Sequence, residues 1–140
     1  MTWKILIVDD SHLVRAQLRA PLEAKGVKVI EAEDGREGLW RARENPVDLV
    51  VVDIHMPVMD GISMVQELRK IPQYRDTPIF VLTSDAARTR AEEGRSAGAN
   101  AWILKPVRPE IIWKAIEKAL FGRAPSSLAG AAESAGGKDS

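Results

Sequence analysis

Reactive polar side chains follow four short apolar segments of this sequence. Each segment is four residues long and consists mainly of branched aliphatic side chains, a pattern typical of a buried β-strand. Three carboxylates, a hydroxyl and an amine come directly after these segments, namely Asp9, Asp10, Asp53, Thr83 and Lys105. The carboxyl ends of parallel strands meet at one edge of a sheet, where open α/β sheets bind their ligands. The pattern therefore predicts one polar site that suits a magnesium ion and a phosphoryl group.

The residue types indicate the chemistry of this site. Three neighbouring carboxylates repel one another unless a cation lies among them. An all-oxygen donor set in a chain with no cysteine favours a hard ion, Mg²⁺, over zinc. Asp53 is the candidate nucleophile, because an aspartate is ionised at neutral pH and needs no general base to attack phosphorus. Lys105 and Thr83 would then stabilise the charge on the transferred phosphoryl oxygens.

Strands that alternate with helices must position these residues. A fifth apolar segment, at 27–31, completes the predicted strands. Helices are predicted after Ser11, over 36–45, after the loop 55–61, over 86–97, and from Pro109 to near Gly122. Parallel neighbours require right-handed crossovers, so the helices should cover both faces of one sheet. The expected fold class is a doubly wound α/β domain.

Composition limits the functional classes. The 140 residues fit one domain, expected over 1–122, and the Ala/Gly/Ser-rich residues 123–140 are expected to form a disordered tail. Twenty basic and twenty acidic residues give no net charge, which argues against a nucleic-acid-binding or membrane-binding surface. The sequence shows no signal peptide and no membrane-spanning stretch, so a cytoplasmic protein is expected.

Four elements, in their order and spacing, carry a family resemblance: Asp9-Asp10, the loop from Asp53 to Gly61, Thr83, and Lys105-Pro106. Together they resemble the receiver domain of bacterial two-component response regulators, of the stand-alone, CheY-like chemotaxis type. The resemblance covers residues 3 to about 122. It implies a flavodoxin-like (βα)5 fold, with a five-stranded parallel sheet in the order 2-1-3-4-5 flanked by five helices. It also implies that a sensor histidine kinase or phosphotransfer protein phosphorylates Asp53 and thereby changes the binding of a downstream target.

The resemblance further implies how the ion is held and how the domain switches. Asp10 and Asp53 would bind Mg²⁺ directly, Asp9 would bind it through water, and the His55 backbone carbonyl would complete the protein ligands. Thr83 would move toward the phosphoryl group while Trp102 turns inward. The family usually has Tyr or Phe where this chain has the bulkier Trp102, so a Trp102 that keeps one orientation in both states is the alternative.

Other positions are assigned only by the same resemblance. His55 and Asp85 lie where the family varies the side chains that tune phosphate loss, and Pro106 is expected to follow a cis peptide bond. The family commonly binds partners on the face formed by its fourth helix, fifth strand and fifth helix. The candidate interface residues of this chain on that face are Arg88, Arg90, Arg95, Trp102 and Trp113.

Three functional hypotheses follow from the sequence. The first is a stand-alone signalling module, monomeric or dimerising on phosphorylation, which catalyses only its own phosphoryl transfer and slow autodephosphorylation. The second is a phosphate sink or shuttle, or the receiver part of a longer regulator with an output domain. The third is an aspartyl-phosphate phosphohydrolase of the haloacid dehalogenase type. Such enzymes need a second acid two residues after the nucleophile, where this chain has His55, and the chain lacks room for a substrate cap.

Overall fold

The computed structural model describes residues 2–87 and 98–121 of the chain. Its five strands are β1 (Lys4–Val8), β2 (Lys28–Ala32), β3 (Leu49–Asp53), β4 (Ile79–Thr83) and β5 (Ala101–Leu104). The α-helices of the described ranges are α1 (His12–Ala24), α2 (Gly35–Glu44), α3 (Gly61–Arg69) and α4 (Pro109–Leu120), and Pro72–Tyr74 form a short 3₁₀ helix. The helix predicted over 86–97 falls largely outside the described residues. Of the helices that are described, none is both long and apolar enough to cross a lipid bilayer.

The strands form one parallel sheet in the order β2-β1-β3-β4-β5, which confirms the predicted topology. In the central pair, Leu6 lies opposite Val50 and Val8 lies opposite Val52. Strand β1 pairs with β2 on one side and with β3 on the other, so the chain winds in opposite directions from this point. The connections after β1 and β3 therefore diverge and leave a crevice at the carboxyl edge.

The hydrophobic core has two halves, one on each face of the sheet. Successive strand residues point to opposite faces, so Ile5 and Ile7 pack in one half and Leu6 and Val8 in the other. Leu18 of α1 and Ile116 of α4 belong to the first half, and α2 and α3 supply side chains to the second. The sheet is buried on both faces, which explains why its strands are continuously apolar.

Polar side chains fix the beginning of three helices at the carboxyl edge. Ser11 Oγ accepts a hydrogen bond from the Val14 N–H at 3.2 Å, which caps α1. Asp34 caps α2 and Asp60 caps α3 in the same way, with distances of 2.9 and 2.8 Å. These caps satisfy backbone donors that the first helical turn leaves unpaired. The connections that surround the crevice are thereby held in place.

The segment that precedes β4 is held by Tyr74 and Arg69. The buried Tyr74 hydroxyl donates to the Ala42 carbonyl at 2.5 Å and accepts from the Val47 N–H at 3.3 Å. Arg69 donates to the carbonyls of Tyr74 and Thr77, each at 2.7 Å. The two prolines of this segment predict a connection, but the sequence does not show that Tyr74 hydrogen-bonds to backbone groups that are distant in sequence.

Candidate functional site

Three carboxylates meet in the crevice at the carboxyl edge of the sheet. Asp9 and Asp10 directly follow β1, and Asp53 is the last residue of β3. Each offers a carboxylate oxygen, and these oxygens lie within 4.8 Å of one another. Asp9 and Asp53 are buried, whereas Asp10 is exposed. The site is therefore a partly buried acidic cluster that opens to solvent on the side of Asp10.

Lys105 reaches this cluster from the end of β5. Its Nζ lies 3.0 Å from Asp53 Oδ1 and 3.2 Å from Asp9 Oδ2. Burial acts to lower the pKa of Lys105, but the hydrogen bonds and charges of the two carboxylates outweigh burial and raise it. Lys105 is thus a charged partner that links Asp9 to Asp53. The peptide bond between Lys105 and Pro106 is cis.

The electrostatic balance at Asp53 favours an additional cation. Burial raises the pKa of Asp53 above its ordinary value of 3.8, and repulsion by Asp9 raises it further, while Lys105 opposes both effects. A single lysine does not offset three carboxylates. The donors are all oxygens, and one of the carboxylates faces solvent, which fits a hard divalent ion such as Mg²⁺.

The loop after Asp53 packs closely against the strand that carries it. The Gly61 N–H donates to the Ile54 carbonyl at 3.0 Å, and a Cβ on Gly61 would lie only 2.3 Å from the Asp53 carbonyl oxygen. Only glycine fits here without a shift of backbone, so Gly61 lets α3 start directly beside the acceptor strand. The Asp-Gly pair in the sequence signals a turn, but this close approach appears only in three dimensions.

Val58, in the same loop, has an unusual backbone conformation. Its φ is +68°, and the Met59 N–H donates to the Pro57 carbonyl at 2.7 Å, closing a tight three-residue turn around it. Positive φ is strained for a β-branched residue. No sequence signal predicts this conformation, since valine is among the residues that least favour it.

The other residues with predicted roles around the crevice are placed as follows. Thr83 is fully buried at the end of β4, and its Oγ1 accepts from the Asp85 N–H at 3.2 Å. The side chains of Asp85 and His55 are exposed. Trp102 is only 4% exposed and packs in the core half that contains residues of α2 and α3. Within the described ranges, its indole Nε1 has no hydrogen-bond partner.

Of the predicted interface residues, the structure describes Trp102 and Trp113, which pack in different halves of the core. Trp102 is buried, and Trp113 packs against the opposite half of the core, where its ring lies 5.9 Å from Lys25 Nζ. In this structure Trp102 therefore offers almost no surface to a partner. The predicted residues Arg88, Arg90 and Arg95 lie outside the described residues.

Sequence reasoning missed Arg15, a buried arginine of α1 beside the acidic pair. Its side chain donates to the Asp9 carbonyl at 2.6 Å and to Glu31 Oε1 at 2.7 Å. Arg15 precedes the buried Leu18 by three positions and Leu22 by seven, so it lies on the apolar face of its helix. A charged residue at an apolar position was the available signal.

Comparison with known proteins agrees with this fold and with the acidic crevice. Residues 5–117 match the family model of the response regulator receiver domain. The chain belongs to this family, and it is therefore a receiver domain of two-component signalling.

Solved structures show the same similarity. The chemotaxis response regulator CheY4 of Vibrio cholerae is 37% identical with a TM-score of 0.79, and the match covers 86% of this chain and all of that one. The receiver domain of the sensor histidine kinase PA1611 of Pseudomonas aeruginosa is 27% identical with a TM-score of 0.77, covering 86% and 98% of the two chains. That structure has a magnesium ion coordinated in its active site cleft.

The similar curated proteins are longer. The transcriptional regulatory protein SrrA of Staphylococcus aureus is 36% identical over 128 residues, which are 91% of this chain but 51% of that protein. The gliding motility regulatory protein of Myxococcus xanthus is 34% identical over 116 residues, 82% of this chain and 15% of that protein. The chain thus spans about half of one relative and a small part of the other.

Proposed function

We propose that Asp53 accepts a phosphoryl group from a phosphohistidine of a sensor histidine kinase or phosphotransfer protein. A carboxylate oxygen of Asp53 forms a bond to phosphorus while the bond between phosphorus and the donor imidazole nitrogen breaks, and the imidazole keeps the electron pair. The observation that carries the proposal is the contact of Lys105 with both Asp53 and Asp9, at 3.0 and 3.2 Å, inside a cluster of three carboxylates. A purely structural ion pair would not need the additional exposed carboxylate of Asp10.

Mg²⁺ is the proposed cofactor, and it would neutralise charge on the transferred phosphoryl oxygens. Asp9, Asp10, Asp53 and the backbone carbonyl of His55 would hold it. The raised pKa of Asp53 supports this assignment, because burial and like charge leave its carboxylate short of positive partners.

Lys105 and Thr83 would complete the catalytic set. The Lys105 ammonium lies 3.0 Å from an Asp53 oxygen, so a small shift brings it to an oxygen of the attached phosphoryl group. The Thr83 hydroxyl ends the neighbouring strand and could donate to a second oxygen. Both contacts act on negative charge in a partly buried site, where they are stronger than in water.

We propose that movement of Thr83 is the first step of the conformational switch. Trp102 is buried in this structure, which fits the alternative in which it keeps one orientation in both states. Phosphorylation would then shift the population of two existing states through the contacts of Thr83. His55 and Asp85, both exposed, are proposed to tune the lifetime of the phosphoryl group by their effect on nearby water.

The proposed partner surface comprises the segment 86–97, β5 and α4. Leu104 of β5 and Ile111 of α4 are exposed apolar residues of this surface, and such residues support a binding role. Arg88, Arg90, Arg95, Trp102 and Trp113 stay in the proposal as residues of the same elements. Burial makes Trp102 the weakest member of this set.

We propose a cytoplasmic signalling module that binds a downstream protein, acts on no other substrate, and binds neither nucleic acid nor membrane. It would be monomeric or would dimerise on phosphorylation, and residues 123–140 would form a tail or linker. Similarity to CheY4 over all of that chain supports a stand-alone protein. Similarity to only part of SrrA supports the alternative, a receiver joined to an output domain, and a phosphate sink or shuttle would use the same site.

Phosphorylation by acetyl phosphate, followed on a phosphate-affinity gel, tests the proposal. The wild type should be labelled with Mg²⁺ and not with EDTA, and Asp53→Asn should abolish labelling. Asp60→Asn is the matched control, because Asp60 is an exposed aspartate that caps α3, and it should keep the label. Labelling that survives in Asp53→Asn contradicts the assignment.

A further inference from the structure

Arg15 connects the acidic pair to two other elements of the fold. Its side chain is 9% exposed although α1 is a surface helix. Nη1 donates to the backbone carbonyl of Asp9 at 2.6 Å, and Nε donates to Glu31 Oε1 at 2.7 Å. Arg15 therefore links α1 to the carboxyl ends of β1 and β2.

The carbonyl that Arg15 binds belongs to the peptide unit between Asp9 and Asp10. A peptide unit is planar, so a fixed carbonyl also fixes the direction in which the chain continues to the Asp10 α-carbon. On the other side, the Asp9 N–H donates to the Ala32 carbonyl at 3.1 Å. The backbone of Asp9 is thus held at both its carbonyl and its N–H. The carbonyl is connected to β2 through Arg15 and Glu31, and the N–H binds β2 directly at Ala32.

The two carboxylates of the pair are held differently. The Asp9 carboxylate accepts from the Ser11 N–H at 2.9 Å and from Lys105 Nζ at 3.2 Å. The Asp10 side chain is exposed, so its direction depends more on the backbone that carries it. Mg²⁺ demands near-ideal octahedral geometry, and a rotated peptide unit would move the Asp10 oxygen away from the other ligands.

We propose that Arg15 is a positioning residue for the metal site, which holds the Asp9–Asp10 peptide unit so that the Asp10 carboxylate faces Asp9 and Asp53. This inference rests on the proposed Mg²⁺-dependent function. Arginine suits the role because its planar guanidinium directs two donors at two acceptors in fixed directions. A lysine supplies a compact charge and would not hold Asp9 and Glu31 in the same way.

One turn further along α1, Arg19 provides a matched control. Arg19 also forms an ion pair with Glu31, but its side chain is 45% exposed and its hydrogen bonds go to Glu23 and Glu31. Removal of Arg19 therefore removes an ion pair from the same glutamate and leaves the contact between Arg15 and Asp9 in place.

Isothermal titration calorimetry with Mg²⁺ alone tests the inference. Loss of a residue that orients a metal ligand typically weakens metal binding by about 10- to 100-fold. We expect Arg15→Met and Arg15→Lys to weaken Mg²⁺ binding at least about tenfold. The Mg²⁺ affinity of Arg19→Met should stay within about twofold of the wild-type affinity. The preference for Mg²⁺ over Ca²⁺ should also narrow in the Arg15 variants, because Ca²⁺ tolerates irregular geometry.

A kinetic measurement separates positioning from general damage. Phosphorylation of Arg15→Lys by acetyl phosphate should need more Mg²⁺ for half-saturation but reach nearly the wild-type rate at saturating Mg²⁺. Circular dichroism verifies that each variant is folded, and Arg15→Lys, which keeps the buried charge, decides the test if Arg15→Met does not fold.

The outcomes also separate this inference from the proposed function. If the wild type binds Mg²⁺ and a folded Arg15 variant binds it equally well, the positioning role is wrong while the proposed function stands. A reduced rate with an unchanged Mg²⁺ requirement overturns the positioning role as well. If the wild type itself does not bind Mg²⁺, the proposed function fails first.

Discussion

Substitution of Gly61 tests how the loop after Asp53 determines the geometry of the site. In Gly61→Ala, the new Cβ would lie 2.3 Å from the Asp53 carbonyl oxygen and 2.9 Å from the Ile54 Cα. Both neighbours are backbone atoms that cannot rotate away, so the start of α3 must move by about 1 Å to restore ordinary contact. That movement would stretch the hydrogen bond from the Gly61 N–H to the Ile54 carbonyl, now 3.0 Å.

The expected cost of Gly61→Ala follows from two opposing effects. Replacing glycine with alanine in a helix stabilises the fold by about 0.5–1 kcal/mol. Overpacking costs about 1–3 kcal/mol, and clashes with backbone belong at the upper end of that range. We therefore expect a net loss of about 2 kcal/mol in the free energy of unfolding. Mg²⁺ binding should also weaken, because Asp53 is displaced.

Urea unfolding and Mg²⁺ calorimetry, with Gly26→Ala as control, measure this effect. Gly26 has φ +88°, and a Cβ at this position would have no other atom within 4 Å, so its substitution costs only backbone strain of about 1–2 kcal/mol. Gly26 precedes β2 at the opposite edge of the sheet, so Mg²⁺ binding should be unaffected. Unchanged stability and unchanged Mg²⁺ binding in Gly61→Ala would show that the close approach of Gly61 to Asp53 does not determine the geometry of the site.

Three further substitutions give independent tests in urea unfolding. Asp53→Asn should stabilise the metal-free protein at pH 7, because burial and Asp9 raise the pKa of Asp53 and its ionised form opposes folding. The gain in stability should vanish as the pH falls below 3.8, where Asp53 is protonated in both the folded and the unfolded state. A gain that persists at such low pH contradicts the electrostatic explanation. Val58→Gly should raise the free energy of unfolding by about 1 kcal/mol, since the relief of backbone strain exceeds the entropy cost of glycine. A loss of stability would show that the backbone of Val58, with φ +68°, is not strained in solution. Tyr74→Phe should lower the free energy of unfolding by about 1–3 kcal/mol, because the buried Ala42 carbonyl and Val47 N–H lose a hydrogen-bond partner. Mg²⁺ binding should be unchanged. An unchanged free energy of unfolding would mean that water replaces the hydroxyl.

The short apolar segments of the sequence were sufficient to predict the strands and a parallel sheet, whereas the order of the strands was implied by the family resemblance. Strands buried on both faces are apolar along their whole length, so the segments before Asp9, Asp53, Thr83 and Lys105 were recognisable. The meeting of the reactive side chains at the carboxyl edge of the sheet was also predictable. The topology rules leave few ways to arrange alternating strands and helices, so the ends of the strands lie at one edge. The boundaries differ by about one residue, as for β2, which spans Lys28–Ala32 where 27–31 was predicted.

Features that depend on three-dimensional contacts were not predicted from the sequence. The burial of Arg15 requires Glu31 of another element as its partner, and the role of Tyr74 requires the carbonyl of Ala42. The conformation of Val58 runs against its own preference and is imposed by the surrounding loop. The orientation of Trp102 is likewise decided by the packing around it, which a one-dimensional pattern does not contain.

The central claim is that Asp53 is the phosphoacceptor of a Mg²⁺-dependent site. Borohydride reduction after treatment with acetyl phosphate and Mg²⁺, followed by peptide mass spectrometry, identifies the residue that carries an acyl phosphate. We expect that Asp53 alone is reduced, that its reduction depends on Mg²⁺, and that Lys105→Met greatly slows or abolishes it. Reduction at Asp9 or Asp10 instead, or at no aspartate while Mg²⁺ is bound, would show that Asp53 is not the phosphoacceptor.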